Sequence, residues 1–417
     1  MSVVVCQIGA REHYVVAAEF ARRGRLAALV TDIWVGEGGA RQVASHAGGS
    51  LARRLGERSH PALQSERVLA PPLLSMLAHE AMMRLAGRTD WDAIMMRNAR
   101  FGSWASRALM RSGILDRRPA VFAYSYAAGD IFRAAKRQGC RTVLGQIDPG
   151  PVEDEIVAEV ARRNGIAMNV GRRPPPSYWT KWREEVELAD VIVANSNWSA
   201  ELLARAGVAA DKIGVVPLAY VPSPCSPPRV RRGRAYSNDD PLRLLFLGQI
   251  NVRKGALELA SAMRLLKDVP VHLTLVGATS PDVAAAFDGL ANAVCVPAVP
   301  RSETGAHYDA ADVFILPTHS DGFGLTQIEA MARGLPVIAS RCCGSVVEDF
   351  RSGRILTEVT ADRIAEQIRW FVENPGELEG LSRAAVVRVG DFGAERVVDD
   401  FLRLVMGRAV YPVESSL

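Results

Sequence analysis

The sequence predicts an α/β protein with two doubly wound, parallel-sheet domains, and three stretches of its 417 residues carry that expectation. Residues 2 to 35 run strand, glycine turn, helix, strand. Residues 313 to 340 repeat the order strand, loop, helix, strand, and between the two, residues 222 to 241 concentrate proline in a short basic segment. Strand–helix–strand units build parallel sheets whose ligands bind beyond the carboxyl ends of the strands. The expected architecture is therefore two Rossmann-like domains facing across a cleft and joined by the proline segment.

A chain of this length can bury two or three sizeable cores. Its 50 Lys and Arg against 46 Asp and Glu leave a net charge of only +4. The six cysteines, Cys6, Cys140, Cys225, Cys295, Cys342 and Cys343, show no Cys-x-x-Cys pair and no ligand spacing with the seven histidines. That argues against zinc and against a disulfide framework, and for reduced thiols. The amino terminus, Met-Ser-Val-Val-Val-Cys, lacks the basic start and long apolar stretch of a signal peptide, and no apolar run approaches the ~20 residues of a spanning helix. These features predict a cytoplasmic enzyme.

Val3-Val4-Val5-Cys6 reads as the first strand, Gly9-Ala10-Arg11 as the turn, residues 15 to 23 as the helix and 26 to 30 as the second strand. Residues 41 to 118 then carry the charge imbalance, thirteen arginines and no lysine against six acids, which leaves the rest of the chain net acidic. Within it, residues 69 to 85 mix Leu73, Leu74, Met76, Leu77, Met82 and Met83 with flanking Arg67, Arg84 and Arg88, a basic amphipathic pattern. Two readings fit. One is a solvated helix face packed on its own domain; the other is a shallow surface for an anionic lipid-linked acceptor or for the inner membrane leaflet, where each basic residue is worth about 1 kcal/mol. Nucleic acid is not expected, because interleaved aromatics and recognisable modules are missing. Asp90-Trp91-Asp92 imitates an Asp-x-Asp metal motif, but it precedes Ala93-Ile94-Met95-Met96, read as a strand, so a solvated turn without a metal is expected. Val121-Phe122-Ala123-Tyr124 and Thr142-Val143-Leu144-Gly145 read as further parallel strands, with a helix over 131 to 138 between them.

Pro222, Pro224, Pro227, Pro228 and Pro241 mark a linker over 223–241. It separates a domain of 1–222 from one of 242–395, and a last helix over 396–417 is expected to cross back onto the first. The second domain opens with a strand over 242 to 247 and the turn Gly248-Gln249-Ile250-Asn251-Val252-Arg253-Lys254-Gly255, with a helix from about residue 256. Small backbone at Gly248 with cations at Arg253 and Lys254 makes a candidate diphosphate site, since charge-assisted hydrogen bonds exceed neutral ones. The plainer alternative is solvated surface. Residues 273 to 277 and 293 to 299 read as strands, the latter ending at Val299.

Val313-Phe314-Ile315-Leu316 is expected to be buried on both faces and is ended by Pro317, which cannot donate to a ladder. Asp321-Gly322-Phe323-Gly324 then puts an acid and two glycines at a loop-to-helix junction, where unhindered N–H groups face a ligand at the positive end of the helix dipole. From Leu325, the residues Leu325, Ile328, Met331 and Ala332 recur at helical spacing, which sends Gln327 and Arg333 elsewhere on the helix surface, and Gly334 ends the helix. Glu329, set among apolar neighbours, needs a partner, because an uncompensated charge there is costly. Taken singly, the two acids could be a loop cap and an ordinary helix-start carboxylate.

Their combination is more specific. An acid, Gly-Phe-Gly, a second acid eight positions after the first and then Ala-Met-Ala-x-Gly-x-Pro-Val-Ile-Ala-Ser resembles the signature of the family-4 retaining glycosyltransferases, the glycosyl transferases group 1, which have the GT-B fold. Residues 187 to 199 resemble the family's penultimate N-domain strand and the helix it starts, with Ser196 or Asn197 as N-cap, and 212 to 217 resemble the strand leading out of that domain. The resemblance implies that Asp321, where the family usually has Glu, and the N–H groups of Gly322, Phe323, Gly324 and Leu325 hold the transferred sugar and the diphosphate, while Glu329 takes the ribose hydroxyls. Lys254 stands at the family's lysine and Gln249, after Gly248, at its usual arginine; Arg253 is assigned the missing charge. The base is implied to lie against backbone near Val299. Gly9 would bring the N-terminal loop towards the diphosphate with Arg11 as charge partner. Gln146 and Asp148 stand near where the family often places a histidine, and this chain has none between His79 and His272.

The implied activity is a metal-independent, retaining transfer of a hexosyl group from a UDP- or GDP-sugar to a glycan or lipid-linked acceptor in cell-surface polysaccharide biosynthesis. It needs no cofactor, and the enzyme would be cytoplasmic or peripheral at the inner membrane face through 41–118. Lys254, Arg253 and the N–H groups at 322 to 325 would stabilise the leaving diphosphate by preorganised electrostatics, and Asp321 would orient the sugar without titrating. Two other readings share the fold: a non-catalytic sugar-nucleotide scaffold or sensor, and an epimerase that converts donor with no acceptor present.

Overall fold

The computed structural model describes residues 1–36, 58–72, 90–166, 173–221 and 227–407. Among them, the N-terminal half forms a sheet of β1 (Val3–Gln7), β2 (Leu26–Thr31), β3 (Val68–Leu69), β4 (Ala120–Tyr124), β5 (Thr142–Gln146), β6 (Val191–Ala194) and β7 (Ile213–Val215), in the order β3-β2-β1-β4-β5-β6-β7. The C-terminal half forms β8 (Leu242–Leu247), β9 (Val271–Val276), β10 (Ala293–Val296), β11 (Val313–Leu316), β12 (Val337–Ser340) and β13 (Gly353–Leu356), in the order β10-β9-β8-β11-β12-β13. Every pairing is parallel. Unbroken apolar runs such as Val3-Val4-Val5 and Val313-Phe314-Ile315-Leu316 suit this arrangement, because helices cover both faces and every side chain is buried. In both sheets the strand order reverses beside the first strand, between β1 and β4 and between β8 and β11. Loops leaving those strands diverge to opposite faces and open a crevice at their carboxyl ends.

One face of the N-terminal sheet packs on the helices Gly129–Arg137 and Asp90–Ser112. Its other face takes the helix Val15–Arg22 together with Ala394–Val405 from the far end of the chain. Phe401 of that last helix places its ring 5.4 Å from Phe20 and 4.9 Å from Phe122. Arg23 pairs with Asp399 and donates to Glu395 O at 2.8 Å. The C-terminal helix therefore completes the first domain's core rather than the second's.

The structure departs from the sequence reading in three places. Ala93 to Met96 are not a strand; they lie inside the helix Asp90–Ser112. Phe101, Ala105 and Leu109 are buried at four-residue spacing further along it, and that longer period, not the four-residue apolar run, decides the element. Gln327 is not on the helix surface but fully buried, its Nε2 donating to Phe323 O at 3.0 Å. The part of the linker at 227–241 is not a free tether: Arg231 is 4 % exposed and donates to Ala311 O, Tyr308 O and Arg229 O at 2.7 to 2.8 Å, which binds the segment to the second domain. Most of the basic amphipathic pattern at 69 to 85 lies outside the described residues, as do 408–417.

Candidate active site

At the carboxyl end of β8 the chain turns from Gly248 to Gly255 and starts the helix Ala256–Leu265. Asn251 Oδ1 closes the turn by accepting from the Lys254 N–H at 3.1 Å. Gly255 has a φ of +70°, and a Cβ there would stand 1.9 Å from Pro317 O, so the turn rests on the end of β11 only because residue 255 has no side chain. The contact is tied from the other side. The His319 N–H and the Thr318 hydroxyl donate to Arg253 O at 2.9 and 3.1 Å, and Arg253 Nη1 donates to Ser320 O at 3.0 Å. Loops leaving two adjacent strands thus set Lys254 Nζ against Asp321 Oδ2, with Arg253 Nη1 3.7 Å from Asp321 Oδ1. Burial works to raise the Asp321 carboxyl, but Lys254 and Arg253 outweigh it and hold it below its ordinary value.

Gly322 is wedged between the domains. Ser196 Oγ, N-cap of the helix Asn197–Arg205, donates to Gly322 O at 2.6 Å, and Trp198 Nε1 donates to Ser320 Oγ at 3.0 Å. A Cβ on Gly322 would come within 2.8 Å of both Ile147 O and Asn195 Nδ2. Among the described residues nothing accepts from the N–H of Gly322 or Gly324, so these stand as open donors beside Asp321 at the start of the helix Leu325–Ala332. Phe323 is different: its ring is buried 6.0 Å from that of Phe392, and its N–H helps to hold the Asp321 carboxyl down. One turn on from Leu325, Glu329 Oε2 accepts from the Tyr308 hydroxyl at 2.9 Å and Oε1 lies 3.6 Å from Arg301 Nη2, the partners its setting called for. Arg301 opens its helix two residues after Val299.

The first domain faces this cluster with the loop after β5. Asp148 Oδ1 accepts from Tyr126 OH at 2.6 Å and from Gln146 Nε2 and the Gly150 N–H at 3.0 Å each. Burial raises the Asp148 carboxyl against these bonds. Gln146 Oε1 takes Trp182 Nε1 at 3.0 Å, so Gln146 is used inside its own domain while Asp148 borders the cleft. In the first turn of the helix Pro151–Arg163, Glu153 Oε1 lies 3.6 Å from Arg253 Nη1. Burial pushes the Glu153 carboxyl up to about 7, with Arg253 opposing and Asp148 and Asp321 adding to the rise. One guanidinium is therefore shared by two carboxylates, Asp321 from its own domain and Glu153 from the other. The cleft holds about 780 Å³ between Asp148, Glu153, Gln249 and Arg253, with Trp91, Tyr178 and Trp179 along its edge. Gly9 and Arg11 stand apart from it, in a second pocket at the end of β1.

Glu153, Trp198 and the grip of Ser196 on Gly322 are missed by sequence reasoning, because each depends on pairing across the domains, which no local pattern encodes. The one available signal for Glu153 was its place in the first turn of a helix directly after Asp148-Pro-Gly-Pro.

Residues 231–387 match the family model of the glycosyl transferases group 1. Similar curated proteins include a D-inositol 3-phosphate glycosyltransferase of Geodermatophilus obscurus, 32 % identical over 58 % of this chain and 58 % of that one. Another of the same name, from Pseudarthrobacter chlorophenolicus, is 28 % identical over 57 % of this chain. The chain spans 60 % of the length of that relative. Among solved structures, Anabaena Alr3699/HepE in complex with UDP superposes with a TM-score of 0.60 at 14 % identity, over 98 % of this chain and 100 % of that one. The sucrose-phosphate synthase of Thermosynechococcus elongatus gives 0.63 at 15 % identity, over 98 % of each chain. At such identities the likeness speaks for the fold alone, which is GT-B.

Proposed function

We propose that the chain transfers a sugar from a nucleoside diphosphate sugar to an acceptor hydroxyl, a reading supported by the match of residues 231–387 to the glycosyl transferases group 1 and by the GT-B fold. The observation that carries this reading is the cluster at the β8/β11 switch point, where Lys254, Arg253 and Asp321 meet beside the open N–H groups of Gly322 and Gly324. A diphosphate leaving group gathers negative charge as its bond to the sugar breaks. Two cations and a helix start fixed in advance stabilise that charge without reorganising. The same cations pair with Asp321 and Glu153, so an incoming diphosphate takes over partners that are already in position. Asp321, ionised, is then free to accept from sugar hydroxyls, and Glu329 is placed to accept from the ribose. That solved GT-B neighbours hold UDP and UDP-glucose supports a UDP-sugar as donor. Transfer with retention follows if the acceptor attacks from the face the diphosphate leaves, which asks for no enzyme nucleophile. A glycan or lipid-linked acceptor remains our reading of the open cleft and its aromatic edge at Trp91, Tyr178 and Trp179.

The test is donor consumption, measured for UDP- and GDP-sugars with and without a panel of glycan and polyol acceptors. A transferase consumes donor rapidly only when acceptor is present. Equal conversion without acceptor would replace this reading by an epimerase, and tight donor binding with no conversion by a sensor.

A further inference from the structure

The second pocket, at the carboxyl ends of β1 and β4, is not used by the donor cluster, and its lining is cationic. It holds about 280 Å³ and is lined by three arginines: Arg11 from the loop after β1, Arg58, and Arg97 from the helix Asp90–Ser112. Arg11 precedes three successive residues with left-handed backbone, Glu12, His13 and Tyr14, at φ of 46°, 51° and 62°. L-residues avoid that conformation, and it persists where the surroundings hold it. Arg11 Nε is buried with no hydrogen-bond partner among the described residues, and the guanidinium lies 5.3 Å from the centre of the Tyr124 ring. Arg58 is held in place by Asp32, whose Oδ1 accepts from Arg58 Nη1 at 3.1 Å and from the Gly9 N–H at 2.8 Å. Arg97 stands exposed at the pocket's wall.

The acids nearby are already engaged. Glu12 accepts from Tyr124 OH at 2.8 Å, and Asp148 from Tyr126, Gln146 and Gly150. Burial raises both carboxyls while Arg11 opposes the rise, and neither acid lines the pocket. Three guanidinium groups and no carboxylate line this pocket. A phosphate group suits such a lining, because its oxygens fit the guanidinium fork. Position points the same way. Ile147 lines the pocket, and its carbonyl is one of the two atoms a Cβ on Gly322 would strike, so the pocket adjoins the Asp321 loop.

We propose that this pocket is an anion subsite for the acceptor: Arg11, Arg58 and Arg97 hold a phosphate group of the acceptor molecule, which sets its hydroxyl beside the Asp321 loop. That the ligand is the acceptor rests on the transferase reading; that it is an anion rests on the pocket alone.

Inorganic phosphate is titrated by calorimetry against Lys254→Ala protein, which lacks the second domain's leading cation, and against the same protein carrying Arg97→Ala or Arg11→Lys. The expected result is a dissociation constant at least tenfold weaker in both double variants, with the UDP-induced melting shift of the Arg97→Ala single variant equal to wild type. Glucose 6-phosphate and vesicles of phosphatidic acid are run beside it, and a response to either that is lost with Arg97→Ala supports the subsite, as soluble or lipid-linked phosphate respectively. Arg97 is exposed, so its alanine variant keeps the fold, and Arg11→Lys keeps the charge at the buried position while removing the fork. Equal phosphate affinity in every variant would overturn the subsite. Loss of the UDP response together with the phosphate response would overturn it too, assigning the pocket to the donor. UDP stabilising neither wild type nor variant would defeat the transferase reading while a phosphate loss on Arg97→Ala still upheld the anion site.

Discussion

Glu153→Gln isolates the electrostatic tie between the domains. The side chain is only 16 % exposed and burial pushes its carboxyl from 4.5 up to about 7. A displacement of that size corresponds to roughly 3 kcal/mol between the two protonation states. Between pH 4.5 and 7 the folded chain holds a proton that the unfolded chain has released, so Glu153 makes stability fall as pH rises through that window, and the loss is complete above it. Glutamine keeps the shape and has no proton to lose. The stability of Glu153→Gln relative to wild type is therefore expected to improve by about 3 kcal/mol from pH 4.5 to pH 8, which is several degrees in melting temperature for a domain of this size. Thermal unfolding followed by tryptophan fluorescence reads the right domain, since six of the seven tryptophans precede residue 222. Glu185 is also pushed up to about 7 by burial, but it titrates in both proteins and cancels in the difference. Parallel melting curves across the pH range would refute the reasoning, because they would mean that Arg253 already compensates the Glu153 charge in full.

Three further perturbations follow from the packing. Gly255→Ala meets Pro317 O and an unfavourable φ of +70° together, so it is expected to cost at least about 2 kcal/mol in urea unfolding and to abolish donor consumption by displacing Lys254. Phe401→Ala should lower stability by about 3 to 5 kcal/mol and expose the first domain's sheet, seen as earlier loss of the tryptophan signal, whereas an effect under 1 kcal/mol would mean that the last helix is not part of that core. Ser196→Ala removes an N-cap and the bond to Gly322 O, with an expected loss of about 1 to 2 kcal/mol in thermal unfolding and a weaker donor response.

Much of the fold was legible because parallel sheets write themselves plainly. Val313-Phe314-Ile315-Leu316 begins and ends where expected, with Pro317 as its stop, and the helix starts at Ala256 and Leu325 stand where the glycine turns put them. The basic pair and the acid-Gly-Phe-Gly loop, nearly 70 positions apart in sequence, meet because β8 and β11 are neighbours, and each was visible alone. What escaped was set by tertiary contact. The helix Asp90–Ser112 shows its period only beyond its first turn, and Gln327 is buried because Phe323 O needs its amide. Glu153 and the arginine pocket are assembled from separate elements of the chain, so composition revealed the charge of 41–118 but not that Arg58 and Arg97 line one pocket with Arg11.

The most direct test of the account is calorimetric titration of UDP and GDP into wild type and Lys254→Ala. One nucleoside diphosphate is expected to bind the wild type, adding roughly 2.7 kcal/mol of stability at about 100 times its dissociation constant. Loss of a charge-assisted contact should weaken it about ten- to hundredfold in the variant. Equal affinity in the two proteins, or no binding of either nucleotide or its sugar conjugate to wild type, would contradict the assignment of the β8/β11 crevice as the donor site.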